Sequence, residues 1–330
     1  MRGWLLAFLL TMLSGPLCRA QSPALLQVAD DYLDRHDIVY LEPETDSFNG
    51  FPLGNGDLGG MLWFTDEGLE LQLNKADLYE RPARGRMALR SAGRLKIDFG
   101  VPCYSYMHLS DFEARLSLRK AEVNVDSSTP FADTEVSSWV DAGSNVWIIR
   151  CRAGCGASLP TGAVNRIVLE RWGSRSFGGW YGAREGTPAE GLGSAKVAGR
   201  GRDLVLEEQF EGGLRFAVAC RLVGCLPEIR QVSDRACEFV TPLDSVQSYA
   251  VLVSVATSDE ADDPVREAVS LLDRAEARTV AALREEHREW WGRFWARSFI
   301  HLEDDYLENI YYMRRYLMGS GSRGKYPLPF

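Results

Sequence analysis

Carboxylates, amides and a phenol crowd two short stretches of this chain. Asn55 and Asp57 stand in Gly54-Asn-Gly-Asp-Leu-Gly59, and Asn74, Asp77 and Tyr79 in Asn74-Lys-Ala-Asp-Leu-Tyr79. Groups of these types fix sugar hydroxyls by paired hydrogen bonds, or tie elements of a fold together. Inverting hydrolysis of a glycosidic bond asks for more: two carboxyls roughly 6.5 to 9.5 Å apart, one kept protonated, with room for a water beside the other. Asp57, Asp66, Glu67, Asp77 and Glu80 supply acids, but Asp57 and Asp66 belong to turn-like segments, and Glu67 and Glu80 flank strands where solvated carboxylates are ordinary. None is assigned as a catalytic residue. A further candidate surface is the segment 171–202, rich in Gly, Ser and Arg, with Trp172, Phe177, Trp180 and Tyr181. A loop longer than about 12 to 15 residues is usually functional or disordered. Its rings either tuck into a sandwich edge, the simpler role, or form a platform on which sugars stack.

Other chemistries find less support. The four histidines, 36, 108, 287 and 301, lack the i, i+4 spacing and acidic company of a zinc helix, and each reads as a surface or packing residue. No Gly-x-Ser-x-Gly elbow and no phosphate loop occurs. Gly54 to Gly59 has the letters of a dinucleotide fingerprint but sits among hairpins rather than in a βαβ unit. Ser320-Gly-Ser-Arg-Gly324 fits an anion-binding nest, though a helix C-terminal stop is its simpler role. No metal and no cofactor is implied.

The elements that must hold these residues are strands. From about Ile38 to Ser258 the hydrophobic period is two, as in Leu69-Glu-Leu-Gln-Leu73 and Leu95-Lys-Ile-Asp-Phe99, while 146–149 and 249–255 are continuous apolar runs expected to be buried on both faces. Asn55-Gly56, Asp66-Glu-Gly68, Ala142-Gly-Ser-Asn145 and Glu211-Gly-Gly213 supply hairpin chemistry, because those residues tolerate positive φ. Many short strands at this spacing predict a mainly β chain built on a large antiparallel sandwich. Past Asp259 the period lengthens. Pro264 suits a first helical position, and Val265, Val269, Leu272, Val280, Leu283 and Trp290 predict one long amphipathic helix. Trp290, Trp291, Phe294 and Trp295 would form an aromatic knot against the sandwich. In a last helix Tyr306, Ile310, Met313 and Leu317 recur at steps of three and four and predict the buried face. With Tyr311, Tyr312 and Tyr316 that helix is apolar almost all round and expects further helices as partners.

Compartment and charge narrow the partners. Arg2, the apolar run Trp4 to Leu13 and Leu17-Cys-Arg-Ala20 have the form of a cleavable signal peptide, cut near Ala20, which implies a secreted or periplasmic protein. A lipid anchor at Cys18 is the competing arrangement, against which bulky Leu17 argues. No later segment has the ~20 apolar residues of a membrane span. The mature chain would carry 35 basic against 46 acidic side chains, a formal charge of −11, which speaks against a nucleic-acid partner. Cys103, Cys151, Cys155, Cys220, Cys225 and Cys237 would remain, an even number that permits three disulfides or free buried thiols and, at these spacings, fits zinc poorly.

Phe51-Pro-Leu-Gly-Asn-Gly-Asp-Leu-Gly-Gly-Met61 and Leu69-Glu-Leu-Gln-Leu-Asn-Lys-Ala-Asp-Leu-Tyr79 resemble the opening of the inverting α-L-fucosidase and L-galactosidase family of glycoside hydrolases. Val168 to Trp172 is similar to a sandwich strand of that family, His287 to Trp291 to its connecting helices, and Asn309 to Pro327 to the first helix and Ser-Ser-Arg-Gly loop of its catalytic domain. The resemblance implies a sandwich at 21–258, a helical linker at 259–301 and, at 302–330, the start of an (α/α)6 barrel. Such a barrel needs on the order of 200 residues. Its Glu acid, and the Asp that activates water through Asn residues, are then expected beyond residue 330, with this chain alone inactive. The loops of Asn55, Asp57, Asn74, Asp77 and Tyr79 would approach the barrel's cleft, with carbohydrate as ligand. The chain departs from the family where Lys75 replaces an acidic residue and Tyr79 a Trp, so no particular sugar is implied. A self-sufficient carbohydrate-binding sandwich, and a structural periplasmic protein without a ligand, are the rival readings.

Overall fold

The computed structural model describes residues 32–80, 88–171, 195–210, 212–243 and 247–323. The expected signal peptide, Trp172 and Trp180 lie outside the described residues. Among these residues sixteen strands form two antiparallel sheets. The larger has the order β1 (Ile38–Tyr40), β6 (Asp111–Ser117), β7 (Glu122–Ser128), β8 (Ala132–Val140), β9 (Val146–Cys155), β16 (Gln247–Thr257), β13 (Arg215–Val223), β12 (Asp203–Gln209), β11 (Lys196–Arg200). The smaller runs β14 (Glu228–Ser233), β15 (Ala236–Pro242), β10 (Val164–Glu170), β5 (Ala88–Asp98), β4 (Gly68–Glu80), β3 (Leu58–Phe64), β2 (Phe51–Gly54).

Alternation decides which side chains meet. Leu69, Leu71 and Leu73 of β4 point inward with Leu95 and Ile97 of β5 and pack across the sandwich against Val123, Ile149 and Val218 of the larger sheet. The continuous runs of β9 and β16 have a second job. Their alternate residues Val146, Ile148, Leu252 and Ala256 form another core on the outer face, beneath Ala268, Leu272 and Ala275 of helix α1 (Pro264–Ala277) and Leu283 of α2 (Val280–Trp295). A fully buried leucine is worth about 1.5–3 kcal/mol, so Leu272 and Leu283 go far toward holding the helices down. Polar pins fix their positions. Buried Arg221 on β13 binds Asp203 through Nε at 2.6 Å and reaches Asp273 and Glu276 of α1 through Nη1 at 2.7 and 2.9 Å. Buried Glu122 on β7 takes Arg284 and Arg288 of α2 at 2.7 Å each.

The one long helix expected from Pro264 is two helices. Thr279 adopts φ 62°, rare for a β-branched residue, and its hydroxyl caps α2 by accepting from the Ala282 amide at 3.3 Å. The aromatic knot is present and reaches further than the sandwich. Trp295 donates to the Leu118 carbonyl at 3.0 Å, while Trp291 stacks on Tyr316 of α3 (Asp305–Gly321). The buried face of α3 is also not the expected one. Glu308, Tyr312, Tyr316, Gly319 and Ser320 are inside, whereas Tyr306, Ile310 and Leu317 are exposed. The reason is a pocket for Glu308: Tyr32, His36 and His301 all place a polar atom on its carboxylate, which makes that face the better one to cover. The six cysteines are free thiols, with Cys103, Cys151, Cys220 and Cys237 buried.

Candidate functional site

At one end of the sandwich the β2–β3 turn meets the β8–β9 turn and the end of α3. Asn55 accepts from the Asp57 and Leu58 amides at 3.1 and 2.9 Å, and its own amide donates to the Asp141 and Ser144 carbonyls at 3.0 and 2.7 Å. It is a clamp between two turns, with its polar atoms already used. Gly56, at φ 86°, turns its amide to the Ser320 carbonyl at 2.7 Å. Gly54 permits this docking: a Cβ there would lie 2.5 Å from the same carbonyl oxygen.

The centre of this end is Lys75, which is not among the sequence-predicted site residues. Its ammonium is closed off from solvent and touches Asp57 Oδ1 at 2.7 Å, Glu260 Oε1 at 2.8 Å and Asp77 Oδ1 at 3.2 Å. Burial pulls the Lys75 pKa down, but Asp77, Asp57 and Glu260 together outweigh it and leave it above the ordinary value. Each carboxylate is held from its other side. Asp57 accepts from the Asn145 side chain, Asp77 from the Thr257 hydroxyl at 2.7 Å, and Glu260 from the Thr257 amide at 3.0 Å. Asp57 and Asp77 therefore share one ammonium, and the space an acid–base pair would keep for water and sugar is filled by Lys75. The cluster is structural: it joins β4, the β2–β3 turn and the β16–α1 connection. A signal was present in the sequence, because Leu71, Leu73, Lys75 and Asp77 share one face of an alternating strand and the first two are core.

Around the cluster lie three clefts. Asn74, half-buried and accepting from Gln72 Nε2 at 3.2 Å, borders an apolar one of about 420 Å³ with Pro52, Leu58, Gly60 and Leu317. Tyr79 and Asp77 border a polar one of about 280 Å³ with Leu214 and Ser258. Asp57 reaches the third, about 390 Å³, with Ser144, Asn145 and Arg274. The structure thus brings Asn55, Asp57, Asn74, Asp77 and Tyr79 to one end. Of the other acids, Glu80 pairs with Arg90, while Asp66 and Glu67 are exposed in the β3–β4 turn. Among the described residues no three His, Cys, Asp or Glu gather as metal ligands, and no helix is long and apolar enough to cross a membrane.

Nearby, Arg323 beyond the end of α3 stacks its guanidinium over Trp290, 3.6 Å from the ring centroid, and burial lowers its pKa to about 10.

A family model described as a domain of unknown function, DUF5703, matches residues 39–162. No curated protein matches the sequence. Among solved structures, a protein from human microbiome assigned as a kojibiose phosphorylase is similar with a TM-score of 0.58 at 12% identity, over 87% of this chain and 42% of that one. The GH92 family glycosyl hydrolase ccman5 is similar with a TM-score of 0.43 at 11% identity, over 88% and 41%. A family GH92 alpha-mannosidase from Bacteroides thetaiotaomicron gives 0.37 at 10%, over 88% and 40%. The chain spans about two fifths of the length of these structures. At 12% identity the first likeness establishes the fold alone, a two-sheet β-sandwich followed by helices.

Proposed function

We propose that this chain is the sandwich and linker part of an exported glycoside hydrolase of the inverting type, whose catalytic carboxyls lie on a helical domain packed against α3. One observation carries the reading. α3 is fixed by its buried face, yet Tyr306 (73% exposed), Leu307 (52%), Ile310 (39%), Leu317 (39%) and Met318 (62%) leave an apolar stripe uncovered, and Leu317 continues it into the apolar cleft beside Asn74. A helix pinned in place with a second apolar face is built to receive another helix. The fold shared with a glycoside-active protein and the resemblance of 51–61 and 69–79 support the same assignment. In it the sandwich supplies no catalytic group: the Lys75 cluster stiffens the end against which the helical domain rests. The test is to assay this chain, and this chain extended by the helical domain, on aryl α-L-fucosides, α-L- and β-L-galactosides, α-mannosides and α-glucosides, with and without inorganic phosphate. Activity should appear only in the extended protein, with inversion seen in the proton NMR spectrum of the released sugar. Hydrolysis by this chain alone would overturn the proposal, and turnover that requires phosphate would replace hydrolysis by phosphorolysis.

A further inference from the structure

The chain holds two Asn-Gly pairs, Asn49-Gly50 and Asn55-Gly56, and the fold treats them in opposite ways. A glycine after an asparagine leaves its own nitrogen unshielded and its backbone free to turn, so that nitrogen can close on the asparagine side-chain carbonyl unless the fold ties one of the two. In Asn55-Gly56 both are tied. The Asn55 side chain is buried and spends its atoms on two turns, and the Gly56 amide donates to the Ser320 carbonyl at 2.7 Å.

Asn49-Gly50 ends a short 3-10 turn, Ser47–Asn49. Asn49 is exposed, its side-chain amide donates to Glu44 Oε2 at a long 3.4 Å, and the Gly50 amide reaches the Ser47 carbonyl at the same marginal distance of 3.4 Å. One firm contact falls on the peptide group between them. Tyr40 donates its hydroxyl to the Asn49 carbonyl at 2.8 Å, and burial together with nearby Glu44 holds that hydroxyl above its ordinary pKa, so it stays a donor. A donor on this carbonyl draws electrons from the conjugated Gly50 nitrogen and stabilises the anion left when the Gly50 N–H ionises.

We propose that Asn49-Gly50 is a self-modification site, at which the Gly50 nitrogen, activated through Tyr40, displaces the Asn49 side-chain amine as ammonia. The bond from the Gly50 nitrogen to Asn49 Cγ forms, the Cγ–Nδ2 bond breaks, and the proton lost by Gly50 leaves with the ammonia. Water then opens the five-membered imide to aspartate or isoaspartate, so the net change is one water taken up and one ammonia released. The new carboxylate faces Glu44 with like charge where an amide had donated, and Glu44 cannot turn away freely because its Oε1 is held by the Asp46 amide at 2.8 Å. Isoaspartate also lengthens the backbone beside Gly50, which fits so closely that a Cβ there would stand 2.6 Å from the Leu62 carbonyl oxygen. The consequence is a slow loosening of the connection between β1 and β2 as the protein ages.

The experiment incubates the full chain at pH 8 in isotopically labelled water and reads the Glu-specific peptide 45–67, which contains both asparagines, by tandem mass spectrometry. In the native protein Asn49 should change from amide to acid with one oxygen from the labelled water, while Asn55 stays an amide. In urea both should react at similar rates. Tyr40→Phe keeps the ring packed on Phe51; it should slow the native reaction at Asn49 about three- to tenfold, the worth of one hydrogen bond, and leave the rate in urea unchanged. The proposal is overturned if Asn49 stays intact in the native protein, if Asn55 reacts as fast, or if Tyr40→Phe reacts at the parent's rate or faster.

Discussion

His36 Nε2 lies 3.1 Å from Glu308 Oε1, both side chains are buried, and 272 residues separate them. Around this pair Tyr32 and His301 complete a clasp that ties the start of the described chain to α3, and the Leu302 amide donates to the same carboxylate. Burial alone would raise the Glu308 pKa. The Tyr32 and Leu302 hydrogen bonds and the two imidazoles overcome it and bring the value down to about 2.

This clasp should respond to pH from two directions. Glu308, lowered from 4.5 to about 2, contributes stability that is present above pH 4.5 and lost as pH falls toward 2. Asp37, next in the chain, is raised to about 6, chiefly by burial despite the Leu118 amide it accepts from. A raised carboxyl contributes stability that is complete below its unfolded value of 3.8 and lost as pH rises through 6. The clasp is therefore expected to be tightest near pH 4.5. Asp37→Asn should stabilise the protein at pH 8 by about 1–2 kcal/mol after screening, with the gain vanishing below about pH 4. Urea denaturation of both proteins at the two pH values measures it; an equal gain at both would refute the assignment.

Removal of Lys75 should cost far more than its single charge suggests. Lys75→Met leaves Asp57, Asp77 and Glu260 facing one another without a cation, and breaking a buried pair from one side typically costs about 3–5 kcal/mol. Asp57→Asn, which keeps the shape and leaves two carboxylates on the ammonium, should cost about 1 kcal/mol. If Lys75→Met melts like the parent, the cluster is not the pin described.

Gly54→Ala tests the docking of α3 apart from the stability of the sandwich. The new methyl would meet the Ser320 carbonyl oxygen at 2.5 Å, and neither backbone can yield cheaply. Amide exchange should accelerate in 305–321 and in the β2–β3 turn while β4, β5 and β9 stay protected. Uniform loss of protection would mean that α3 and the sandwich unfold as one unit.

Thiol chemistry distinguishes the two states that the cysteine count permitted. Cys155 is exposed, Cys225 partly buried and the other four enclosed, with burial pushing the Cys103 and Cys151 pKa values to about 12. Alkylation of the native protein should mark Cys155 at once, Cys225 slowly, and the other four only after denaturation without reductant. Failure of those four to react in denaturant would reveal disulfides.

The strands were legible because a half-buried sheet forces period two on the sequence, and the doubly covered β9 and β16 because their runs break that alternation. Three features were not. The break at Thr279 carries no Gly or Pro, and the apolar pattern runs through it from Leu272 to Leu283. On α3, Tyr306-Ile310-Leu317 and Glu308-Tyr312-Tyr316 are equally regular stripes. The deciding factor, a glutamate satisfied by Tyr32 and His36, is made by residues too distant in sequence to weigh. Lys75 was overlooked although its alternation with Leu71 and Leu73 placed it on the inward face. A lysine in a strand reads as solvent-facing until Asp57, 18 residues back, and Glu260, 185 residues on, are seen to neutralise it.

The uncovered stripe of α3 gives the last expectation. Ile310, Leu317 and Met318 are exposed, and surface substitutions normally change stability by less than about 0.5 kcal/mol. Replacing all three by Gln should leave the melting of this chain almost unchanged while reducing its self-association in light scattering, because the apolar patch that drives aggregation is gone. In a protein extended by the helical domain the same triple change should lower stability by about 2 kcal/mol or more for each of the three side chains, which would then be core. The contrast between an unchanged and a lowered stability is the test. Destabilisation of the short chain would show that the stripe is already covered by the sandwich, and indifference of the extended protein would show that its helices dock elsewhere.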